Sequence, residues 1–284
     1  MTNLDRRAAL IAGMLAPLAA SACSRGSTQS SAGVGETPEG PVVHDMSDMP
    51  ASWTQANQIA MLVYPRMTIL DLIGPQYMFA SLMGATVHLV AKTRDPITSD
   101  TGVTMVPTAT FDEVPRDLAV LFAPGGTDGT IAAMRDDATR EFMADRGSRA
   151  TYVTSVCTGS LILGAAGLLR GYQATSHWAA RDALTEFGAT PVDARVVKDR
   201  NRITGAGVTA GLDFGLQMLA EMRDRTYAEG VQLMCEYDPH PPFSAGSMHT
   251  APLHVKAMIG AMVVAFPGQV RDAAREIALA EPSR

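Results

Sequence analysis

The chain is short of charge, above all of positive charge. Only 23 of its 284 residues are Lys or Arg, against 29 Asp or Glu, and the formal net charge is −6. That balance excludes the basic footprint of a nucleic-acid binder, so no nucleic-acid partner is expected. Charged residues make up 18% and hydrophobic residues 46%, a composition that buries a core instead of staying disordered. No interior run reads as long and apolar enough to span a bilayer. Cysteine is scarce as well, with Cys23, Cys157 and Cys235 only.

What is present begins with an unusual N-terminus. Arg6-Arg7 precedes an apolar run, residues 8–22, that stops at Cys23. The run reads as an export signal, residues 1–23, and the paired arginines suggest the twin-arginine route. Ala20-Ser21-Ala22-Cys23 resembles a lipoprotein processing box, which makes Cys23 a lipidation candidate. Plain signal-peptidase cleavage near Ala22 is the alternative. The protein is then expected outside the cytoplasm, periplasmic or held to a membrane by its lipid. Residues 24–56, rich in Ser, Gly, Thr and Pro, read as a flexible linker. A folded domain is expected over 57–250 and a helical extension over 251–284.

From residue 57 strand and helix signals alternate. Strands are expected at 59–64, 86–91, 118–123 and 152–156, with short ones at 194–198 and 202–204. A hairpin-like excursion surrounds Asp100-Thr101-Gly102. Helices are expected over 69–83, largely after Pro75, over 128–146 as one amphipathic element, and over 160–169. Further helices are expected at 179–187 (ended by Gly188), 210–223, 226–237, 256–264 and 271–280. Met78, Met83, Met218 and Met222 fall at helical spacing and read as core. This alternation argues an α/β fold, a mostly parallel sheet sandwiched between helices. Such sheets carry their sites at the carboxyl ends of strands.

Three strand ends then supply the candidate chemistry. Val153-Thr-Ser-Val-Cys157-Thr158-Gly159 runs a strand into a helix with a thiol at the corner. A helix N-terminus lowers a thiol's pKa and offers amides to developing negative charge, so Cys157 is the candidate nucleophile. Asp71, after the first strand, is a carboxyl that can shuttle protons. Gly125 and Gly126, after the strand ending at Ala123, let backbone amides approach an oxyanion. Thr158 offers an amide and a hydroxyl. His177 is a further substrate-binding candidate, with a supporting role preferred because a carboxyl already serves as proton carrier. Each has a plainer structural reading: packing for Cys157, a turn for Asp71, a helix start for Thr158. Cys235 reads as a buried thiol among apolar helix positions, and a Cys157–Cys235 bridge stays open in an oxidising compartment.

Other motifs carry less. Gly205-Ala-Gly-Val-Thr-Ala210 matches a dinucleotide fingerprint, but no following strand places an acid for a ribose. His240, His249 and His254 match no ligand spacing, so no metal is expected. Pro239, Pro241, Pro242 and Phe243, in the stretch Pro239-His240-Pro241-Pro242-Phe243, read as the rim of a pocket or a dimer contact.

The string Cys157-Thr-Gly-Ser-Leu-Ile-Leu-Gly-Ala-Ala-Gly-Leu-Leu-Arg-Gly-Tyr-Gln-Ala-Thr-Ser-His177-Trp178 resembles the nucleophile region of the ThiJ/PfpI superfamily. Asp71-Leu-Ile-Gly-Pro75, Ala123-Pro-Gly-Gly126, the stretch from Asn201 to Asp213, and Glu236-Tyr-Asp-Pro-His-Pro-Pro-Phe243 are similar to one branch of it. That branch contains isonitrile hydratase and the ligand domains of some AraC-type regulators. The resemblance implies a flavodoxin-like three-layer sandwich with a cysteine nucleophile elbow, a small-molecule substrate, no cofactor, and a homodimer. It implies a hydro-lyase in which Cys157 attacks an isonitrile carbon to form a thioimidate. Asp71 would move the protons, and Thr158 would position substrate or water. Two alternatives remain at this point: a glyoxalase- or deglycase-like enzyme on reactive carbonyls, and a ligand-sensing domain without catalysis.

Overall fold

The computed structural model describes residues 49–280. The export signal of residues 1–23, the lipidation candidate Cys23 and most of the linker lie outside the described residues. The end of the expected linker does not: Ala51–Thr54 forms a 3-10 turn. Trp53 Nε1 donates to Asp224 at 2.6 Å, and the Arg223 guanidinium donates to the carbonyls of Trp53 and Gln55 at 2.9 Å each. One buried-edge arginine thus holds this entry segment to the domain.

Seven strands build the central sheet: β1 Asn57–Leu62, β2 Ala85–Ala91, β3 Ala109–Thr110, β4 Val120–Ala123, β5 Tyr152–Val156, β6 Val196–Asp199 and β7 Arg202–Gly205. Their order is β6-β7-β5-β4-β1-β2-β3. All neighbours pair parallel except β6 with β7. β4 and β7 bury every residue, as strands covered on both faces do. The five strands β2-β1-β4-β5-β7 have the flavodoxin-like order, whose direction of winding reverses between β1 and β4. Two small ladders lie outside the sheet, Ile97–Thr98 with Thr104–Met105, the expected hairpin, and Gln173–Ala174 with Thr190–Pro191.

Helices are α1 Ile69–Ala80, α2 Asp128–Arg135, α3 Asp137–Gly147, α4 Gly159–Ala165, α5 Ala210–Met222, α6 Arg225–Met234, α7 Leu253–Val263 and α8 Phe266–Ala280. Contacts link α1, α5 and α6 in one layer, and α2, α3, α4 and α8 with the 3-10 helix Arg181–Phe187 in the other. Gly211 and Gly215 of α5 admit Pro75 and Met78 of α1. A Cβ at those glycines would lie 3.1 and 2.4 Å from these side chains. Close helix packing, not a phosphate, accounts for the glycines of this region. The edge-to-face rings of Phe79, Phe122 and Phe214 fill the core beneath.

Several expectations shift. α1 is helical from Ile69, the start of the expected segment, and holds Pro75 inside it instead of forming mainly after it. Its opening turn is capped from a distance, by Asp100 Oδ1 accepting from the Ile69 amide at 3.2 Å. Thr68 stands at the N-cap with Asp71 three residues on, but its side chain makes no capping hydrogen bond. The helix expected over 128–146 is two helices, broken at Asp136, whose carboxylate caps α3 by accepting from the Thr139 amide at 2.9 Å. Cys235 is half-buried instead of buried, and both it and Cys157 are free thiols, so no bridge joins them. Leu253–Ala280 forms a helical stretch of 28 residues, long and apolar enough by length and composition to cross a membrane. Its second half nevertheless packs on the domain, burying Phe266, Val270, Ala273, Ala274 and Ile277.

Candidate active site

The site lies where the sheet's winding reverses, above the carboxyl ends of β1, β4 and β5. α1 leaves β1 into one layer, while α2 leaves β4 and α4 leaves β5 into the other. Their first residues meet over the gap. Cys157, immediately after β5, takes φ 58°, a left-handed conformation that a non-glycine residue adopts at a cost of about 1–3 kcal/mol. Hydrogen bonds hold it there. Its amide donates to Ala206 O at 2.6 Å, and its carbonyl accepts from Ser176 Oγ at 3.0 Å and Ser160 Oγ at 3.3 Å. Gly159 must be glycine, since a Cβ would sit 2.1 Å from Ala123 O.

Asp71 occupies the first turn of α1 and is fully buried. Its Oδ2 accepts from the Gly125 amide at 3.0 Å. Burial raises its pKa from 3.8 to about 7, against the lowering effects of the Cys157 thiol and the Gly125 amide. The Cys157 thiol is also pushed up, first by burial and then by the Asp71 charge; the Thr158 amide and hydroxyl partly offset this. The expectation of a thiol acidified by a helix N-terminus is therefore corrected. α4 has only seven residues, and desolvation outweighs what its opening amides supply. The result is a carboxyl and a thiol in contact, which do not both ionise readily. Asp71 Oδ1, buried and outside hydrogen-bonding geometry with any neighbour, is the oxygen left for proton exchange.

Gly125 and Gly126 have another use than the one expected. The Gly125 amide is committed to Asp71, and the Gly126 amide donates to Thr158 Oγ1 at 2.9 Å. Neither is free to receive a substrate oxyanion. The close approach expected of Gly125 is present but serves the side chains: a Cβ there would lie 2.6 Å from Thr158 N and 2.7 Å from Asp71 Oδ2. Thr158 Oγ1 also donates to Gly126 O at 2.5 Å and lies 2.9 Å from Thr130 Oγ1. Thr130 in turn lies 3.1 Å from Tyr64 Oη, which donates to Pro124 O at 2.8 Å. Tyr64 and Thr130 escaped the reading of the sequence, because Tyr64 sits just past β1 and Thr130 inside α2, with no local mark of the other.

Among the hydrogen bonds of the described residues, His177 makes none with Cys157. Its Nδ1 accepts from the Ala179 amide at 3.3 Å, its ring lies near Trp178 and Gly207, and burial lowers its pKa. The thiol is shifted first by burial and then by Asp71 and Thr158. Ser176, the preceding residue, is the one that reaches the Cys157 backbone. The site as a whole is nearly sealed: Cys157 is 6% exposed and Thr158 3%.

Comparison with known proteins agrees with this arrangement. The DJ-1/PfpI family pattern matches residues 57–221. The chain is 50% identical over 197 residues to isonitrile hydratase of Pseudomonas putida, covering 69% of this chain and 86% of that one. It is 33% identical to a deglycase of Thermococcus kodakarensis over 139 residues, 48% of this chain and 81% of the other. A ThiJ/PfpI family protein from Pseudomonas syringae, known by crystal structure, superimposes with a TM-score of 0.79 at 64% identity, covering 82% of this chain and 98% of that chain. The sheet order, the strained elbow and these similarities agree: the chain belongs to the DJ-1/PfpI family.

Proposed function

We propose that the protein is an isonitrile hydratase-type enzyme, adding water across R–N≡C to give an N-substituted formamide. The observation that carries this reading is the buried Asp71–Cys157 pair, in which one carboxyl has a pKa of about 7 beside an unionised thiol. Asp71 as carboxylate takes the thiol proton while Sγ bonds to the isonitrile carbon. The same proton then passes to that carbon, giving the thioimidate R–N=CH–S. Water adds to the C=N carbon, Asp71 relays its proton to nitrogen, and collapse expels the sulfur, leaving R–NH–CHO and the thiol. A carboxyl poised near neutrality suits both directions of transfer. The Thr158 amide stabilises charge on sulfur as it develops.

The narrow approach to Cys157 favours this substrate class. A terminal isonitrile carbon is slender and can reach a thiol that is 6% exposed, whereas a glycated side chain is bulky. The likeness to a deglycase supports a second reading, on reactive carbonyls. Purified protein incubated with an alkyl isonitrile is expected to release the formamide, and Cys157→Ala is expected to lose at least about 10³-fold of kcat/KM, as removal of a nucleophile does. Undiminished turnover in Cys157→Ala would falsify the mechanism; consumption of methylglyoxal with no isonitrile turnover would favour the second reading. We further propose that the protein works outside the cytoplasm, exported by residues 1–23 with Cys23 lipidated. Mass spectrometry of the mature N-terminus tests this, and an intact Met1 would refute it.

A further inference from the structure

Thr130 takes no part in the hydration steps above, yet it is fully buried and lies between two other hydroxyls of the site. It stands in the first turn of α2. Its Oγ1 is 2.9 Å from Thr158 Oγ1, 3.1 Å from Tyr64 Oη and 3.0 Å from Gly126 O, to which it donates. Thr158 Oγ1 donates to the same carbonyl at 2.5 Å. Gly126 O, in a buried residue, therefore has two hydroxyl donors in range, and Thr158 is the nearer. The Thr158 oxygen is held independently of its own proton, because the Gly126 amide donates to it at 2.9 Å. Its O–H bond can turn without the oxygen moving. That oxygen also lies beside the reacting pair. A Cβ on Gly125 would sit 2.7 Å from Thr158 Oγ1 and 2.7 Å from Asp71 Oδ2, and the Asp71 carboxyl is hydrogen-bonded to the Cys157 thiol.

We propose that Thr130 is a positioning residue, which keeps Gly126 O satisfied when Thr158 turns its proton to the Cys157 sulfur. While the thiol holds its proton, Thr158 donates to Gly126 O. As the sulfur loses that proton to Asp71, the Thr158 O–H swings toward the new charge and the Thr130 O–H remains on the carbonyl. No proton changes owner in this exchange; O–H bonds rotate. A buried carbonyl stripped of its donor costs free energy, and that loss offsets what a hydrogen bond to charged sulfur returns. Thr130 removes the loss and leaves the gain. Tyr64 tunes the balance. Its single proton goes to Pro124 O at 2.8 Å, so its contact with Thr130 draws on the Thr130 proton and competes with Gly126 O for it. The plainer alternative is three hydroxyls that satisfy one another as packing, in which case the titration of the thiol is indifferent to Thr130. The proposal rests on Cys157 being the nucleophile and on no particular substrate.

Thiolate formation can be read without substrate, from the pH dependence of Cys157 alkylation by iodoacetamide in the full chain. Mass spectrometry of the Cys157 peptide separates it from the other free thiol, Cys235. Thr130→Val is expected to slow alkylation at about pH 8 by at least about tenfold, the scale of one hydrogen bond to a charged group. Thr130→Ser keeps the hydroxyl and is expected to restore the rate to within about twofold of the wild type. Tyr64→Phe releases the Thr130 proton to Gly126 O and is expected to move the rate the other way, upward. Far-ultraviolet circular dichroism checks folding, and Thr130→Ala carries the same expectation should the valine variant not fold. A valine variant as fast as the wild type, a serine variant as slow as the valine one, or a Tyr64→Phe variant slowed like Thr130→Val would overturn the role of Thr130. Formamide release measured in parallel separates the two readings. Unaltered thiol titration with isonitrile turnover intact overturns the role of Thr130 alone, whereas the expected shifts with no isonitrile turnover overturn the hydratase reading alone.

Discussion

α4 and α7 are made of similar material and have opposite fates. Gly159-Ser-Leu-Ile-Leu-Gly-Ala165 and Leu253-His-Val-Lys-Ala-Met-Ile-Gly-Ala-Met-Val263 are both short, apolar on most sides, and built around small residues. α4 buries all seven of its residues, and α7 buries none. Their own composition does not decide this. α4 follows β5 with no slack, so the sheet fixes its start, and Cys157 with it, over the neighbouring loops. α7 follows a loop of proline, serine and glycine with no strand before it, and nothing among the described residues covers it. Apolar sequence specifies that a surface will be covered; the element preceding it specifies by what.

The comparison can be broken most severely at the site that α4 supports. Asp71→Asn is expected to lower kcat/KM for hydration by at least about 10²-fold, the scale of general acid–base contributions, in a formamide-release assay. The wild-type rate should climb with pH around a midpoint of about 7, as the carboxylate forms, and that limb should vanish in the variant. A variant with the same midpoint would assign it to another group.

Stability should follow the same group with the opposite sign. Asp71 keeps its proton in the folded state up to about 7, against 3.8 unfolded, so the native state binds more protons between those values. Its contribution is intact below about 3.8 and is lost as pH rises through 7, by at most roughly 4 kcal/mol. Denaturant midpoints between pH 4 and 8 should therefore show Asp71→Asn gaining on the wild type as pH rises; a constant difference would contradict the buried charge.

A matched pair of glycines sharpens the contrast further. A Cβ at Gly164 in α4 would lie 2.6 Å from the Phe187 ring, and at Gly260 in α7 it would meet nothing. Gly164→Ala is expected to cost about 1–3 kcal/mol by overpacking. Gly260→Ala should change stability least, by up to about 1 kcal/mol in the favourable direction through helix propensity. Chemical denaturation of both variants reads the two effects, and equal losses would mean that α7 is as tightly packed as α4.

Much of the site was legible in the sequence because strand ends are legible. An apolar run stopping at Ala123 and a β-branched one stopping at Val156 placed Gly125, Gly126 and Cys157 at one edge of a parallel sheet, and the structure brings Asp71 and Thr158 to them. What escaped was whatever depends on a distant partner. The start of α1 is set by Asp100, thirty-one residues away, and not by Pro75. The amides of Gly125 and Gly126 looked free until Asp71 and Thr158 occupied them. Tyr64 and Thr130 are unremarkable in their own segments and become a hydroxyl chain only when β1 and α2 are adjacent.

Pattern and composition by themselves determined the α/β class, the parallel sheet and the placing of Cys157 and Asp71 after strand ends, because periodicity and turn residues act locally. The tertiary structure alone decided the protonation of that pair. A thiol at a helix start would be acidic in water, but burial beside Asp71 raises both groups, since desolvation and like charge come from neighbours far along the chain. It also decided that two apolar helices of similar make-up end on opposite sides of the boundary with solvent, because only the path of the chain determines which surfaces are within reach.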